Sequence, residues 1–447
     1  MSELTHPCVG TEPLTGSTTP TLQLHTADDY PPDGAAIGEA SVSASENVAA
    51  LMPGSGLFPE YLRYCLPATD APPLYHLGAA LALAAHRLGR RTWFQHGSAR
   101  LYPNLWVAQV GGGAHLRKST VLHLAGGLLD PDGDGGSGPA SEATGLPGWL
   151  NALDAEEPDT AAERTPERDP EDRGPVALGL VHDLGGWLGD FNLSCNQAAW
   201  RILADWYDVP RRWERFTEKA GPVVLDQPCV SLLAACTAAW LARQRQPANR
   251  HGEFWARLLF FPAARKERTL PLPPPPCPEQ AQVVRAALER LGEVCGPMSL
   301  APGARRRYAE WLERFEDRPA EEQSEPWVSR LGTAALKVAM IYEAATSGGC
   351  VIGEEAVGRA AALVEELRTR LAPALTEEGT GARGDADFKR VCRVIQAAGP
   401  LGIAHNALLK KLSPMRSPAL RAILRTLKEA GQVRERQEGK GAWYRWV

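Results

Sequence analysis

The chain has 447 residues, which is too many for one compact core, so we expect two or three folded units joined by linkers. Its 44% hydrophobic and 23% charged residues indicate a globular protein, and its 43 glycines and 37 prolines indicate long irregular segments. The net charge of −5 conceals an excess of positive charge from residue 384 onward, 13 Lys or Arg against 5 Asp or Glu, which suits that end to an anionic partner such as nucleic acid.

The sequence also argues against secreted and membrane-spanning proteins. It begins without the basic and apolar leader of a secretory signal, and its longest apolar run, around residues 77–85, is too short to span a bilayer. The nine cysteines form no CxxC pair, which fits reduced thiols better than a disulfide or zinc framework. A cytoplasmic protein without a membrane partner is therefore expected.

The first two segments differ in composition. Residues 1–55 are rich in Thr, Ser, Gly, Pro and acids without a sustained hydrophobic period, so they are predicted to be a disordered tail. Residues 56–95 are predicted to be a helical lead-in, because LYHLGAALALAAHRLGRR at 74–91 has the spacing of a helix that ends in basic residues.

Residues 96–270 are predicted to form the core. The apolar run at 105–110 is followed by three glycines and then by an apolar helix, which is the order strand, glycine loop, helix. Strands alternate with helices further on, which favours a parallel α/β sheet. The further predicted strands lie at 176–183 and 229–236, and the predicted helices at 196–206 and 238–245.

The proline run at 271–276 marks a boundary. Residues 278–375 beyond it are predicted to be a helical subdomain. Residues 384–447 contain three predicted helices and a short hairpin, the order of a winged-helix domain, with 417–430 as the recognition helix. The helices predicted in the subdomain span 278–295, 302–316, 327–347 and 354–373.

A phosphate-loop motif supplies the first candidate site. The segment GGAHLRKST fits the pattern GxxxxGK[ST], except that Arg117 stands at the second glycine. Glycines let backbone N–H groups surround a phosphate, Lys118 supplies a charge to its oxygens, and Ser119 can ligate Mg²⁺. ATP and Mg²⁺ are therefore the expected ligands, unless the segment is a glycine turn followed by a chance KST. The residues expected to bind the nucleotide are Gly112, Gly113, Arg117, Lys118, Ser119 and Thr120.

Hydrolysis also requires an acid at the end of a neighbouring strand, and Asp183 in LVHDLGGWL is the best candidate. If His182 and Asp183 correspond to the Asp-Glu pair of many motors, Asp183 is the catalytic base and His182 replaces the metal-side acid. If Asp183 holds the metal instead, Leu184 stands at the base position. The remaining alternative is that Asp183 only caps the following turn.

Other polar residues interrupt or end apolar segments. Thr237 ends the third strand, where it would sense the γ-phosphate or only form a turn. Arg257 in GEFWARLLFF needs a partner, because a buried unpaired charge is expensive. It would act catalytically as an arginine finger for a neighbouring subunit of a ring, or pair with an acid of its own subunit. The same two alternatives, a role in a neighbouring subunit's site or a partner in their own subunit, apply to Arg330 and Lys337.

Basic residues cluster on the recognition helix and wing of the predicted winged helix. They can reach DNA phosphates and give a salt-dependent affinity; the alternative is a winged helix used for protein contacts. The predicted DNA-binding residues are Arg416, Arg421, Arg425 and Lys428 on or beside the helix, and Arg434, Arg436, Lys440 and Arg445 along the wing.

The chain resembles a family of P-loop proteins from phages, plasmids and genomic islands that is known only as a domain of unknown function. The likeness covers roughly residues 57–375. It implies a RecA-type or AAA+-like ATPase core and replication or helicase-like work on mobile elements. The family often carries Arg before the loop lysine, as at Arg117, but usually has Asp-Glu at 182 and 183. The segments that carry the likeness are YPNLWVAQVGGGAHLRKST, LVHDLGGWL, ADWYDVPRRWERFTEKAG, HGEFWARLLFFP and SRLGTAALKVAMIYEAA.

These observations predict an α/β protein with a RecA-type or AAA+-like P-loop core and parallel sheet, a helical subdomain and a winged helix. Its expected function is ATP-driven DNA replication or helicase-like work of a mobile genetic element, as a homo-oligomer that engages DNA and a primase or other replication protein. One alternative is a DNA-binding initiator or regulator that binds nucleotide with little or no hydrolysis. A metabolic kinase fused to a DNA-binding regulator is the other.

Overall fold

A computed structural model describes most of the chain from residue 48 onward, and the described residues belong to one unit, Ala40–Val447. Most of the predicted tail, residues 1–47, lies outside the described residues. The described ranges are 48–129, 176–191, 199–217, 221–244, 252–318, 328–377, 382–399, 402–412, 433–438 and 441–446, with positions 420, 421, 423, 424, 427 and 428.

The chain alternates helices and strands through most of its described length. The helices are α1 (Leu57–Cys65), α2 (Pro73–Leu88), α3 (Lys118–Leu129), α4 (Leu184–Phe191), α5 (Ala199–Tyr207), α6 (Ala238–Gln244), α7 (Gly252–Trp255), α8 (Pro278–Glu293), α9 (Pro302–Glu316), α10 (Leu331–Ser347), α11 (Glu354–Glu377), α12 (Ala382–Ala397) and α13 (His405–Lys411). The strands are β1 (Thr92–His96), β2 (Ala99–Leu101), β3 (Trp106–Val110), β4 (Val176–Val181), β5 (Trp213–Thr217), β6 (Gly221–Leu225), β7 (Cys229–Cys236), β8 (Leu258–Pro262), β9 (Gly296–Leu300), β10 (Val351–Ile352), β11 (Ile403–Ala404), β12 (Val433–Glu438) and β13 (Gly441–Trp446).

Helix α2 runs through the centre of the fold. It begins at Pro73, whose ring fits the first helical position. It ends at Leu88 and is capped by Gly89, which has a φ of 55° that glycine adopts without steric cost. All its residues except His86 and Arg87 are buried, as expected of a helix that is apolar all round. The predicted helix is confirmed, although β1 already begins at Thr92, inside the segment predicted as helical lead-in.

The central sheet is parallel, with the strand order β4-β7-β3-β8. Its side chains alternate between two hydrophobic clusters: Val107 and Leu233 lie in the cluster with α2 and α3, whereas Trp106 and Leu232 lie in the cluster with α4 and α5. Helices therefore cover both faces, which explains why every residue of β3, β7 and β8 is buried. The predicted parallel α/β sheet is confirmed, and the chain is a mixed α/β protein.

Two further sheets were not predicted from the sequence. Strands β1 and β2 form an antiparallel hairpin that extends a second sheet, in the order β10-β9-β1-β2. Within it β9 pairs in parallel with both β1 and β10, and Thr92 lies opposite Gly296. Strands β5 and β6 form an antiparallel hairpin of their own.

The helices beyond the proline run lie where they were predicted, since α8 to α11 fall within or close to the four expected segments. They do not have a core of their own. Val284 and Leu288 of α8 and Met340 of α10 belong to the same hydrophobic cluster as Leu77 of α2, and α8 packs against both α1 and α2. The proline run therefore separates two stretches of sequence that share one core.

The C-terminal residues have a separate hydrophobic cluster. Strands β12 and β13 pair as a hairpin, and β11 joins β13 to complete the sheet order β11-β13-β12. The described positions of the predicted recognition helix are helical, and Leu420, Leu424 and Leu427 are buried. In the parts of the chain that are described, no helix is both long and apolar enough to cross a membrane.

We expect the fold to lose stability on acidification through His76 of α2. This side chain is fully buried beside Tyr61, and neither ring nitrogen has a hydrogen-bond partner among the described residues. Burial, aided by the charge of Arg268, lowers the pKa of His76 from 6.5 to about 3. Between these values the unfolded chain binds more protons, so the free energy of unfolding falls as the pH falls, by about 1.4 kcal/mol per pH unit.

The measurement is urea unfolding of the wild type and His76→Leu at pH 7.5 and pH 5.0. Between pH 6.5 and 5.0 the wild type should lose about 2 kcal/mol more than the variant. An equal loss in both proteins would show that His76 does not carry this pH dependence.

Candidate functional site

The turn after β3 leaves no room for a side chain at its first position. Tyr75 of α2 donates its hydroxyl proton to the carbonyl of Val110, at 2.7 Å. A Cβ at Gly111 would lie only 2.4 Å from the Tyr75 oxygen and from Leu116 Cδ1. Glycine is therefore required here, and it brings the chain over the carboxyl edge of the sheet, where the following residues begin α3.

One non-glycine residue of the loop between β3 and α3 has a left-handed backbone. Arg117, at the position of the second glycine, has a φ of 56°, in the left-handed region that glycine normally supplies. Lys118 then turns back into the loop. Its ammonium group donates to the carbonyl oxygens of Gly111 at 2.8 Å, Gly112 at 3.5 Å and Gly113 at 3.4 Å.

This arrangement suits a phosphate. The N-terminus of the 12-residue helix α3 faces the loop, so the helix dipole and the N–H groups of its first turn favour an anion there. Ser119 is exposed in the first turn of the helix, and Thr120 is half-buried beside it. The ammonium of Lys118 and the hydroxyl of Ser119 are the chemical groups that would hold phosphate oxygens and Mg²⁺.

Arg117 is held by an acid from the lead-in segment. The Asp70 side chain, 3% exposed, accepts a hydrogen bond from Nε of Arg117 at 3.3 Å and pairs with Lys266. The backbone N–H of Leu270 donates to the same carboxylate at 3.2 Å. The buried Asp70 carboxylate therefore joins three segments of the chain: the one before α2, the phosphate loop and the one after β8.

The charge state of Asp70 follows from these contacts. Burial alone would raise the pKa of Asp70, but the hydrogen bonds from Lys266 and Leu270 and the nearby positive charges outweigh it and hold the pKa below its ordinary value. The carboxylate is therefore ionised at neutral pH. Arg268 adds a further contact beside Asp70 by donating a hydrogen bond to the carbonyl oxygen of Thr69, at 2.8 Å.

Asp183 lies at the same edge of the sheet, between β4 and α4. Its carboxylate accepts the backbone N–H of Gly185 at 3.0 Å, so it caps the first turn of α4. Capping was one of the predicted alternatives, and the side chain remains exposed, which leaves it accessible to a ligand. The ring of His182 packs against His123 of α3, with 4.8 Å between centroids, and this contact ties the strand end to the phosphate-loop helix.

Thr237 follows β7, the strand between β3 and β4 in the sheet. Its hydroxyl accepts the backbone N–H of Trp240 at 3.2 Å, so Thr237 caps α6. Because the strands are parallel, the ends of β3, β7 and β4 meet at one edge. The phosphate loop, Thr237 and Asp183 therefore share that edge, although β4, which was expected to neighbour the phosphate-loop strand, is separated from β3 by β7.

Arg257 lies at the opposite edge, immediately before β8. Its guanidinium is 5% exposed and pairs with Asp208 of the same chain at 2.6 Å. Arg330 reaches the other carboxylate oxygen of Asp208 at 3.2 Å. Of the two predicted alternatives, the structure contains the intrachain ion pair. To act as an arginine finger, Arg257 would have to leave this pair, in which its own side chain is buried and that of Asp208 is half exposed. The sequence alone did not reveal this pair.

Lys337 of α10 is buried in the same region, with 2% of its surface exposed. Its ammonium donates to the backbone and side-chain oxygens of Asn104, at 3.0 and 2.9 Å, and lies 3.9 Å from the ring centroid of Tyr207. Burial lowers the pKa of Lys337 to about 7. These contacts attach α10 to the chain just before β3 and to the end of α5.

The predicted DNA-binding residues are only partly described. Arg416, Arg425 and Lys440 lie outside the described residues. Arg421 and Lys428 are exposed at helical positions, and Lys428 bonds to Glu435 at 2.5 Å. Arg434 and Arg436 are exposed on β12, and Arg445 is exposed on β13.

Comparison with known proteins leaves the family open. No protein-family model matches the chain, and no curated protein matches it. The crystal structure of a full-length MCM homolog from Methanopyrus kandleri is similar to 77% of this chain, with 16% sequence identity and a TM-score of 0.40. The match spans 63% of that protein's length.

The sequence did not single out Asp70, Lys266 or Tyr75. Asp70 carries a weak signal, since it is an acid in the short segment ATDAPP before a helix that is apolar all round. Lys266 and Tyr75 carry none, because each depends on a contact between segments that are far apart in the chain.

Proposed function

We propose that the protein binds ATP and Mg²⁺ at the loop between β3 and α3 and acts in DNA replication or helicase-like work of a mobile genetic element. The observation that carries the proposal is the phosphate loop itself: the left-handed backbone at Arg117, followed by Lys118 directed at three loop carbonyls. A chance KST after a glycine turn would have no reason to combine both features.

The sheet order supports a RecA-type or AAA+-like core. One strand, β7, separates the phosphate-loop strand β3 from β4, which leads to Asp183. This is the arrangement in which such ATPases place a polar residue of the middle strand, here Thr237, between the phosphates and the acid. Lys118 would bind phosphate oxygens and Ser119 the metal, while Asp183 would act on the metal or on the attacking water.

The C-terminal residues 384–447 are proposed to be a winged-helix domain that binds DNA. Support comes from the order α12, β11, α13, a third helical segment and the hairpin β12–β13, which forms its own hydrophobic core. Exposed arginines on the hairpin supply the charge that phosphate contacts require. We also propose that the protein is a homo-oligomer, as in a ring, with a primase or other replication protein as its partner. The proposal includes kinship to the family of phage and plasmid P-loop proteins.

One observation favours the alternative of nucleotide binding with little or no hydrolysis. His182 stands where the resembled family has an acid, and its ring packs on His123. One carboxylate oxygen of Asp183 meanwhile accepts a hydrogen bond from the N–H of Gly185. An initiator or regulator would need the bound nucleotide only as a structural switch.

The test measures ATP binding and steady-state phosphate release by the full chain, with and without single-stranded and duplex DNA. Lys118→Ala should weaken ATP binding about 10- to 100-fold, the loss expected for a charged hydrogen bond. Asp183→Asn should retain binding and lower turnover by about 100-fold or more. Asp226→Asn, at an exposed acid before β7, is the matched control and should behave as wild type.

DNA-stimulated turnover lost in both site variants would support the motor. Wild-type binding that needs Lys118, without turnover, would support the switch instead. If wild type and Lys118→Ala bind ATP equally well or not at all, the proposed nucleotide site is wrong.

A further inference from the structure

The hairpin β12–β13 places like charges directly opposite each other. Arg434 pairs with Arg445 across the two strands, and Arg436 pairs with Trp443. Because side chains alternate between the two faces of a strand, all four lie on one face, opposite the buried Val433 and Tyr444. We call this the arginine face, defined by Arg434, Arg436, Trp443 and Arg445.

The directly opposed pair Arg434 and Arg445 is unfavourable without an anion. Like charges directly opposite on neighbouring strands destabilise a hairpin, and no ion pair joins Arg434 or Arg445 to an acid among the described residues. Glu435, the acid nearest in sequence, bonds instead to Lys428 at 2.5 Å. The three arginines are exposed and the Trp443 ring is half-buried between them, so positive charge and an aromatic surface are presented together.

The arginine face also has a concave shape. A cavity of about 250 Å³ is lined by its four residues with Gly402, Glu435 and Tyr444, just below the range of about 300–1,000 Å³ for small-ligand sites. Gly402 at its edge has a φ of 72°, and a Cβ there would lie 2.7 Å from the carbonyl oxygen of Tyr444, so this position requires glycine.

We propose that the arginine face binds an unpaired nucleotide of single-stranded DNA, with the base stacked on Trp443 and the flanking phosphates held by Arg434 and Arg445. This inference rests on the proposed DNA binding and adds the form of DNA that is bound. Guanidinium groups pair with phosphate oxygens through two parallel hydrogen bonds, and an aromatic ring stacks on any exposed base. A duplex keeps its bases stacked on each other, so it offers the ring no base face.

The test measures binding of the full chain to labelled oligothymidine and to a labelled duplex of equal length. Trp443→Ala should weaken single-strand binding about tenfold, while Trp443→Phe, which keeps an aromatic ring, should stay within about threefold of wild type. Duplex binding should change less than about twofold in either variant. Thermal unfolding of each variant checks that the C-terminal fold is intact.

The arginines are tested through salt dependence. Arg445→Ala should lower single-strand affinity and reduce the slope of log affinity against log salt by about one. Arg306→Ala, at an exposed arginine of α9, is the charge-matched control and should leave the slope unchanged.

Two outcomes overturn the proposal. If Trp443→Ala weakens single-strand and duplex binding equally, or weakens neither, the stacking role fails while DNA binding by the protein stands. If the wild type binds neither form of DNA, the proposed DNA-binding function fails as well.

Discussion

Asp70→Asn is expected to lower the free energy of unfolding by about 3 kcal/mol, because it removes the charge that Arg117 and Lys266 share. The carboxylate is 3% exposed and Lys266 is 18% exposed, so water cannot fully solvate the Lys266 ammonium once the charge of Asp70 is removed. Urea unfolding measures the change. Glu60→Gln, which breaks an ion pair with the exposed Arg63 on α1, is the matched control and should lose less than about 1 kcal/mol.

The same substitution should weaken ATP binding about tenfold. Arg117 holds a left-handed backbone that costs a residue with a Cβ about 1–2 kcal/mol, and its side chain is anchored by Asp70 at 3.3 Å. Without that anchor the loop can relax to a conformation in which its N–H groups no longer converge on a phosphate. Titration with a fluorescent ATP analogue gives the affinity.

A second substitution separates the two roles of Asp70. Glycine adopts the left-handed conformation without an anchor, so in an Arg117→Gly background Asp70→Asn should change ATP affinity by no more than about twofold. The loss of stability through Lys266 should persist in that background. An undiminished effect on affinity in both backgrounds would mean that Asp70 does not act through Arg117.

At pH 9.5, where the Lys337 amine is neutral in the fold, Lys337→Ala is expected to lower the free energy of unfolding by about 3–5 kcal/mol. The truncation leaves a cavity between α10 and the start of β3, and it deprives both oxygens of the fully buried Asn104 of their donor. Lys337→Met fills most of the space without a charge, so it should lose only about 1–3 kcal/mol, the penalty for the oxygens left without a donor.

The pH dependence identifies the buried ammonium as the cause. The pKa of Lys337 is about 7 in the fold and about 10.4 in an unfolded chain, so the unfolded chain binds more protons between these values. Stability contributed by Lys337 therefore rises with pH through this window. Wild type should gain stability relative to Lys337→Met between pH 7 and pH 9.5, and a difference that does not change with pH would contradict this origin.

Local patterns in the sequence were sufficient for much of the core. The run LWVAQVGGG and the segment RKST predict a strand, a tight turn and a helix from residues that are adjacent in the chain, and the structure contains all three. Helix α9 spans Pro302–Glu316, as predicted, because its proline and its hydrophobic spacing are both local signals. The strands β4 and β7 are apolar except for the buried Ser231, which is what burial on both faces requires.

Contacts between distant segments were not accessible from one sequence. Thr92 pairs with Gly296 across about two hundred residues, and nothing near Thr92 specifies that partner. The same limit applies to the site, since Asp70 meets Arg117 and Lys266 only in the folded chain. Whether Arg257 pairs within its own chain or serves a neighbouring subunit depends on whether an acid of its own chain is within reach. That acid, Asp208, lies 49 residues earlier, so the sequence near Arg257 does not reveal it.

The core that α8 and α10 share with α2 restricts how the molecule can move. A hinge in the proline-rich segment 271–276 would have to pull Val284, Leu288 and Leu291 of α8 away from α1 and α2. Exposing three such side chains to water costs about 5–9 kcal/mol, as much as the entire stability of many domains. Any rearrangement that starts at the phosphate loop must therefore move these helices together with the sheet as one rigid body. Its hinge must lie outside residues 271–276.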